Sequence, residues 1–252
     1  MGIIMNRLYV GTMGWSYNFW VGKLYQEGTA SKDFLTEYSK QFNTVEVDST
    51  FYRIPSKDIV TKWKEQTSTA FLFSAKFQKI ITHVKMLQDC EREVNVFIER
   101  ISSLQGKLGP LLLQFPYAFR PEHVHLLRNF LPTLPKGYRF VVEVRNRKLL
   151  EEGFYSLLRE SNVALALVDT PLMPGTEVLT ADFAYVRWEG DRRKVRGTLG
   201  ELEVDRTDSI KRWAERIKRF LDIPMDVFGY FSKYYSGYPP SDAKQLLSIL
   251  DS

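Results

Sequence analysis

The sequence predicts an α/β fold, a single TIM-type (β/α)8 barrel. Three observations carry this. Eight short β-rich runs alternate with helix-patterned segments over 252 residues, a length suited to one barrel domain. Strands alternating with helices imply right-handed crossovers and a parallel sheet. Acidic and basic residues sit at alternating positions near the C-terminal ends of several runs, where barrels of this kind carry their sites.

The expected strands are Leu8–Thr12, Thr44–Asp48, Phe71–Lys76, Leu111–Phe115, Phe140–Val144, Ala164–Asp169, Ala184–Trp188 and Val227–Phe231. Between them lie helical signals. Ser31 is placed to cap a helix with Phe34, Leu35, Tyr38 and Phe42 on one face. Ser56 is placed to cap the next, with Ile59, Val60 and Trp63 inward. Val94, Phe97, Ile98, Ile101 and Leu104 form an apolar stripe at helical spacing. Pro121 suits a first helical position before Val124, Leu127 and Leu131. Phe154, Leu157 and Leu158 mark the fifth helix, and Ile210, Trp213, Ile217, Phe220 and Leu221 mark another. Leu246, Leu247 and Leu250 close the chain. Thr170–Phe183 carries Pro171, Pro174 and Gly175, so the crossover from strand six to strand seven is expected to be an irregular loop. No linker, repeat or low-complexity tract interrupts the chain, which predicts one domain over residues 1–252.

At 44% hydrophobic and 14% aromatic the chain can bury a large core, and 26% charged residues argue against disorder. The formal charge of +5 is a mild bias toward anionic partners. Cys90 is the single cysteine, so no intrachain disulfide can form, as suits a reducing compartment. Cys90 lies in helical sequence away from the strand ends and reads as a structural thiol. Met1–Arg7 shows no charged head followed by an apolar run of signal length, and no stretch approaches membrane-span length. A cytoplasmic protein without membrane contact is expected. Oligomeric state is not legible.

Alternation along each strand sorts side chains between the helix layer and the interior. Val45 and Val47 face the helices, so Glu46 and Asp48 point inward. The same phase sends Ser74 and Lys76, Gln114, Glu143 and Arg145, and Tyr185, Arg187 and Glu189 inside. Unpaired charges there would cost several kcal/mol, so they pair with each other or with a ligand. Glu46 with Lys76, on adjacent strands, is one such internal pair.

These residues fall within motifs. Val10-Gly11-Thr12-Met13-Gly14-Trp15-Ser16-Tyr17 and Asn43-Thr44-Val45-Glu46-Val47-Asp48-Ser49-Thr50-Phe51-Tyr52-Arg53 are the most distinctive. Phe73-Ser74-Ala75-Lys76 precedes Ile81-Thr82-His83, and Leu108-Gly109-Pro110 leads to Gln114-Phe115-Pro116. Val142-Glu143-Val144-Arg145 and Thr180-Ala181-Asp182-Phe183-Ala184-Tyr185-Val186-Arg187 complete the set. Together they resemble the YecE-like family, the domain of unknown function 72, over nearly the whole chain. The resemblance implies a TIM-barrel fold that looks like the endonuclease IV and xylose isomerase group, and it brings no reaction with it. Six positions, in four places at the expected mouth, depart from the family pattern. Glu189-Gly190 stands where His-Gly is usual, and Phe231-Ser232-Lys233-Tyr234 where Phe-Asn-Asn-Asp is usual. Asp48 replaces a common Asn, and Asn146 a common His.

No metal and no cofactor is expected. Only His83 of three histidines follows a strand end, whereas a zinc cluster needs several converging ligands. An all-oxygen magnesium site from Glu46, Asp48, Glu143, Asp169 and Glu189 would lie beside Lys76, Arg145 and Arg187, which oppose it. General acid–base chemistry is the sharper reading. Glu46 and Glu143 would handle protons while Lys76 and Arg187 hold negative charge. Trp15, Tyr17 and Tyr52 after the first two strands, and Lys233 after the eighth, would help hold a ligand, with Asp48, His83, Gln114, Arg145, Asp169 and Glu189. The expectation is a metal-independent enzyme acting on a phosphorylated or sugar-containing ligand. The alternatives are a non-catalytic binder of nucleic acid or another anion, and a scaffold whose mouth charges are structural. The basic run Arg192-Arg193-Lys194-Val195-Arg196 could track a phosphate backbone, but intervening acids favour a solvated loop.

Overall fold

The computed structural model describes residues 7–251; the N-terminal segment considered above lies, apart from Arg7, outside the described residues. The chain is an α/β protein of two parallel sheets. Strand β1 (Leu8–Thr12) leads through short 3-10 turns to helix α1 (Phe34–Ser39) and β2 (Thr44–Val47). Then come α2 (Lys57–Glu65), β3 (Leu72–Lys76), α3 (Glu91–Ile101), β4 (Leu108–Gln114), α4 (Val124–Phe130), β5 (Phe140–Glu143) and α5 (Glu152–Glu160). Two short strands, β6 (Ala164–Leu165) and β7 (Leu167–Asp169), precede β8 (Phe183–Trp188), α6 (Thr207–Leu221), β9 (Asp226–Phe231) and α7 (Pro239–Asp251). One sheet has the order β1-β9-β8-β7 and the other β2-β3-β4-β5-β6.

The expected sixth strand is therefore two. Ala164 and Leu165 pair with β5, and Leu167–Asp169 pair with β8. Ala166 stands between, its N–H donating to Val142 O at 2.9 Å. The run hands its ladder from one sheet to the other, so neither half is long. At the opposite seam a parallel bridge joins Met13 to Glu46, with Gly14 N–H donating to Glu46 O at 2.8 Å. Among the described residues no helix crosses between β7 and β8, as the prolines and glycine of that loop predict.

Period-two alternation divides the buried residues into two apolar layers. Val45, Val47, Phe73, Ala75, Leu111, Leu113, Val142 and Val144 join the helix faces in the larger one. Leu112, Val141 and Ala164 of one sheet meet Phe183, Tyr185, Phe228 and Tyr230 of the other in the smaller one. The helix stripes behave as their spacing dictates: Val94, Phe97, Ile98 and Ile101 are all buried. Two local expectations fail. Ser31 opens a 3-10 turn and caps nothing with its side chain, because the chain tightens over Ser31–Asp33 before α1 begins. Ile59 is 45% exposed, since Val60 takes the inward position on α2. Ser56 does cap α2, accepting from Ile59 N–H at 3.4 Å. Cys90 is a buried free thiol, and burial first, then Glu91 and Glu93, raises its pKa to about 11.

Candidate functional site

The C-terminal ends of β2, β4, β5 and β8 converge on one arginine. Arg187, on β8, is 1% exposed. Its Nε and Nη2 grip Glu46 through two bonds, at 2.9 and 2.7 Å. Its Nη1 donates to Glu143 and to Glu189, each at 2.5 Å. Nη2 also reaches Met13 Sδ at 3.3 Å. A guanidinium has five N–H donors in a fixed fork, so all of them are committed. Burial opposes its charge, but Glu143, Glu46 and Glu189 together hold its pKa well above the ordinary value.

The carboxylates around it are unequal. Glu46 is fully buried and also accepts from Tyr185 OH at 2.6 Å. Its burial, with Asp48 adding, outweighs Arg187 and raises its pKa to about 7. Glu189 is opposed by burial too, but the charges of Arg187, Arg145 and Arg192 prevail and hold it below the usual carboxylate range. Glu143 accepts from Gln114 Nε2 at 2.6 Å. Arg145 lies 3.5 Å from Glu143 and 3.9 Å from Glu189. Arg192 is 3.5 Å from Glu189 and stacks over Tyr234 at 4.6 Å. Asp48 Oδ1 is 3.7 Å from Arg187 and 4.0 Å from Lys76, and it accepts no hydrogen bond among the described residues.

A cavity of about 590 Å³ opens beside this cluster. Glu143, Arg145, Glu189, His83 and Val168 line its inner part; Tyr117, Leu172, Met173 and Arg192 line it toward the loops. His83 sits on a π-helical turn, Ile80–Val84, just past β3. Its Nδ1 pairs with Thr82 Oγ1 at 2.8 Å and its ring meets Phe51 edge-on. Burial first, then Lys76, Arg145 and Lys79, lower its pKa to about 4, so it is neutral near pH 7.

The fold brings together Glu46, Asp48, Lys76, His83, Gln114, Glu143, Arg145, Arg187 and Glu189. Tyr17 and Lys233 lie at its edge, and Trp15, Tyr52 and Asp169 stand apart from it. Trp15 packs edge-on against Trp63 and Phe73. Tyr17 donates to Met13 O at 2.9 Å and packs on Trp20. Tyr52 is 81% exposed, and Lys233 lies over the Tyr17 and Tyr234 rings. Asp169 turns to the helix side, where Ser209, Trp213 Nε1 and Tyr235 OH donate to its Oδ2 at 3.1, 2.7 and 3.2 Å. The break at Ala166 explains it: Val168, not Asp169, faces the cavity.

Two role assignments change with the geometry. Arg187 has no donor left for a ligand anion, and Glu46 is sealed beneath the cluster. The expected Glu46–Lys76 pair does not form, because the longer Arg187 fork crosses the interior and takes both Glu46 oxygens. Tyr185 and Arg192 are site residues not chosen from sequence. Tyr185 is marked by its inward phase, and Arg192 by its place two residues past Gly190. Asp191 holds Arg193 through two bonds, at 2.9 and 3.1 Å, so the basic run is partly neutralised by its own acid. Among the described residues no group of three or more His, Cys, Asp or Glu side chains is placed to hold a metal ion, and no helix is long and apolar enough to cross a membrane.

Comparisons agree with the fold and motifs. A family profile described as "Protein of unknown function DUF72" matches residues 9–252. The UPF0759 protein YecE of Escherichia coli K12 is 36% identical over 58% of this chain, and the match spans about half (51%) of that protein's length. The UPF0759 protein YunF of Bacillus subtilis is 26% identical over 97% of this chain and 95% of its own. Among solved structures, a DUF72 family protein from Thermotoga maritima superposes with a TM-score of 0.84, at 27% identity, covering 97% of this chain and 99% of that one. A DUF72 family protein from Enterococcus faecalis has a TM-score of 0.80 at 22% identity, covering 97% and 96%, and shares the fold. The chain belongs to the DUF72 family.

Proposed function

We propose that the cavity binds a small anionic ligand of the sugar-phosphate class, with Glu143, Glu189 and neutral His83 facing it as proton carriers. One observation carries the reading: the division of cationic charge. Arg187 is spent on three carboxylates, whereas Arg145 and Arg192 are 42% and 60% exposed and, among the described residues, their ion pairs are all 3.5 Å or longer. Their guanidinium donors remain for a ligand. The anion clamp is thus Arg145 with Arg192, and Glu143 keeps a proton-handling role that sealed Glu46 cannot fill. Exposed Tyr117 and Leu172 at the rim suit the apolar face of a sugar. The reading takes the two sheets as one closed barrel and residues 1–252 as one domain, supported by the ladder handover at Ala166. It also places the protein in the cytosol, in keeping with the buried thiol of Cys90. Nucleic acid is the competing ligand.

Thermal shift measurements with glycerol 3-phosphate, hexose phosphates, nucleotides and single-stranded DNA at low and high salt test it. A saturable rise in Tm with a sugar phosphate is expected, lost in the Arg145→Ala/Arg192→Ala double variant. Binding retained by that variant, or no shift with any small anion, overturns the reading. Stabilisation by long DNA alone, falling steeply with salt, would replace it with nucleic-acid binding.

A further inference from the structure

The cavity beside the arginine hub has more apolar wall than one sugar ring covers. Pro116, Tyr117, Val168, Leu172 and Met173 line it together with the charged residues. Tyr117 and Leu172 are 68% and 73% exposed, so the chain itself leaves both in water. The exposure of Tyr117 is held in place from below. Buried Phe119 stacks on Phe115 at 4.2 Å, and its N–H donates to Pro116 O at 3.0 Å. Asn146 Nδ2 donates to Tyr117 O at 3.4 Å. The loop backbone is anchored while the aromatic side chain lies exposed at the cavity wall, as a stacking surface does.

The polar wall is acidic as well as basic. Arg187 Nη1 holds Glu143 and Glu189 at once, so their carboxylates lie side by side. Each carboxylate oxygen has two lone-pair directions, more than Arg187 and Gln114 fill. Arg192 approaches Glu189 Oε2 only to 3.5 Å. A ligand that brought negative charge alone would be repelled by this pair. A ligand that also brings hydroxyl donors satisfies it.

We infer that the cavity's ligand is a ribonucleoside phosphate, with its base against Tyr117 and Leu172, its two ribose hydroxyls donating to Glu143 and Glu189, and its phosphate on Arg145 and Arg192. The inference rests on the cavity being an anion site and names the class of anion. Three walls of different chemistry call for three different parts in one molecule. A volume of about 590 Å³ falls within the range of pockets that bury drug-sized molecules. A glycerol or hexose phosphate would leave the apolar wall wet. An acidic side chain on a ribose hydroxyl is a recurrent arrangement in nucleotide sites. Tyr117 and Leu172 offer surfaces that accept the face of any base without reading its edge. Selectivity therefore lies at the ribose rather than at the base.

Isothermal titration of the whole protein with AMP, CMP, 2′-deoxy-AMP, ribose 5-phosphate and glycerol 3-phosphate tests it. AMP and CMP should each bind roughly tenfold tighter than ribose 5-phosphate, the gain that one stacked base brings. 2′-Deoxy-AMP should bind about tenfold more weakly than AMP, having lost one hydrogen bond to a carboxylate. Tyr117→Ala should bring AMP down to the level of ribose 5-phosphate and leave ribose 5-phosphate itself unchanged. The Tyr117 side chain is exposed, so its removal opens no hole in the core. Ribose 5-phosphate bound as tightly as AMP, or AMP and 2′-deoxy-AMP bound equally, overturns the inference and leaves the anion site standing. AMP affinity unchanged in Tyr117→Ala overturns it in the same way. No binding of any of the five compounds would remove the anion site as well.

Discussion

Replacing Arg187 with Met keeps much of the side chain's length and removes all five N–H donors. Three carboxylates, Glu46, Glu143 and Glu189, would then be left buried at 0, 1 and 7% exposure without their shared cation. Removing one partner of a buried ion pair costs about 3–5 kcal/mol. Three acids lean on this arginine, but each can take up a proton, so the cost at neutral pH should stay near that range. For a chain of this size, about 2–4 °C of Tm is lost per kcal/mol, which gives a fall of roughly 6–20 °C. Urea unfolding followed by tryptophan fluorescence, repeated at several pH values, measures it. The sign of the pH effect is fixed. Acids that lose their cation bind protons more tightly in the folded chain than in the unfolded one. Stability then rises as pH falls, so the variant's deficit should shrink from about pH 8 toward about pH 5. A variant within about 1 kcal/mol of wild type, with a parallel pH profile, would refute the idea that Arg187 carries this cluster.

Other outcomes follow from the same geometry. Glu46 has a folded pKa of about 7 against an ordinary 4.5, so it stabilises fully below about pH 4.5 and that contribution is lost as pH rises through about 7. At 1.36 kcal/mol per unit this is at most roughly 3 kcal/mol. Glu46→Gln should flatten that part of the stability–pH curve, leaving the similar slope from Asp242, whose burial also raises it to about 7; an unchanged curve in urea titrations would contradict this. Asp169→Asn should cost about 1–3 kcal/mol by weakening the bonds from Ser209, Trp213 and Tyr235, and leave ligand-induced shifts intact. Lost ligand binding with unchanged Tm would return Asp169 to the site. Gly190 has φ of +68° and a Cβ there would stand 2.1 Å from Tyr234 O, so Gly190→Ala should cost about 2–4 kcal/mol in urea unfolding.

Strand phase is the part of the site legible in sequence. Val45 and Val47 flanking Glu46, and Val142 and Val144 flanking Glu143, tell which side chains enter the interior, because period two leaves no other choice. Pairing is not legible in the same way. Glu46 and Arg187 are 141 positions apart, and nothing local says that Arg187 rather than Lys76 will take its oxygens. Asp169 is misread for a related reason. A continuous strand six leaves its direction open, and only the handover at Ala166 turns it toward Trp213. Trp15 and Tyr17 show the limit of aromatic composition: rings near a mouth pack on each other unless something else claims them. Arg192 escapes because a run of like charges reads as solvated loop, whereas its position after Gly190 carries it back over Glu189.

The arginine hub joins β8 of one sheet to β2 and β5 of the other, through residues far apart along the chain. Such contacts are expected to form late, because long loops must be ordered before they form. Until both sheets have met, Glu46 and Glu143 belong to one unit and Arg187 to another. A half-folded chain would therefore carry every mouth residue and no mouth. Any ligand that reads Arg145 and Arg192 against Glu143 and Glu189 would sense completed assembly, and could serve as a stringent probe of correct folding.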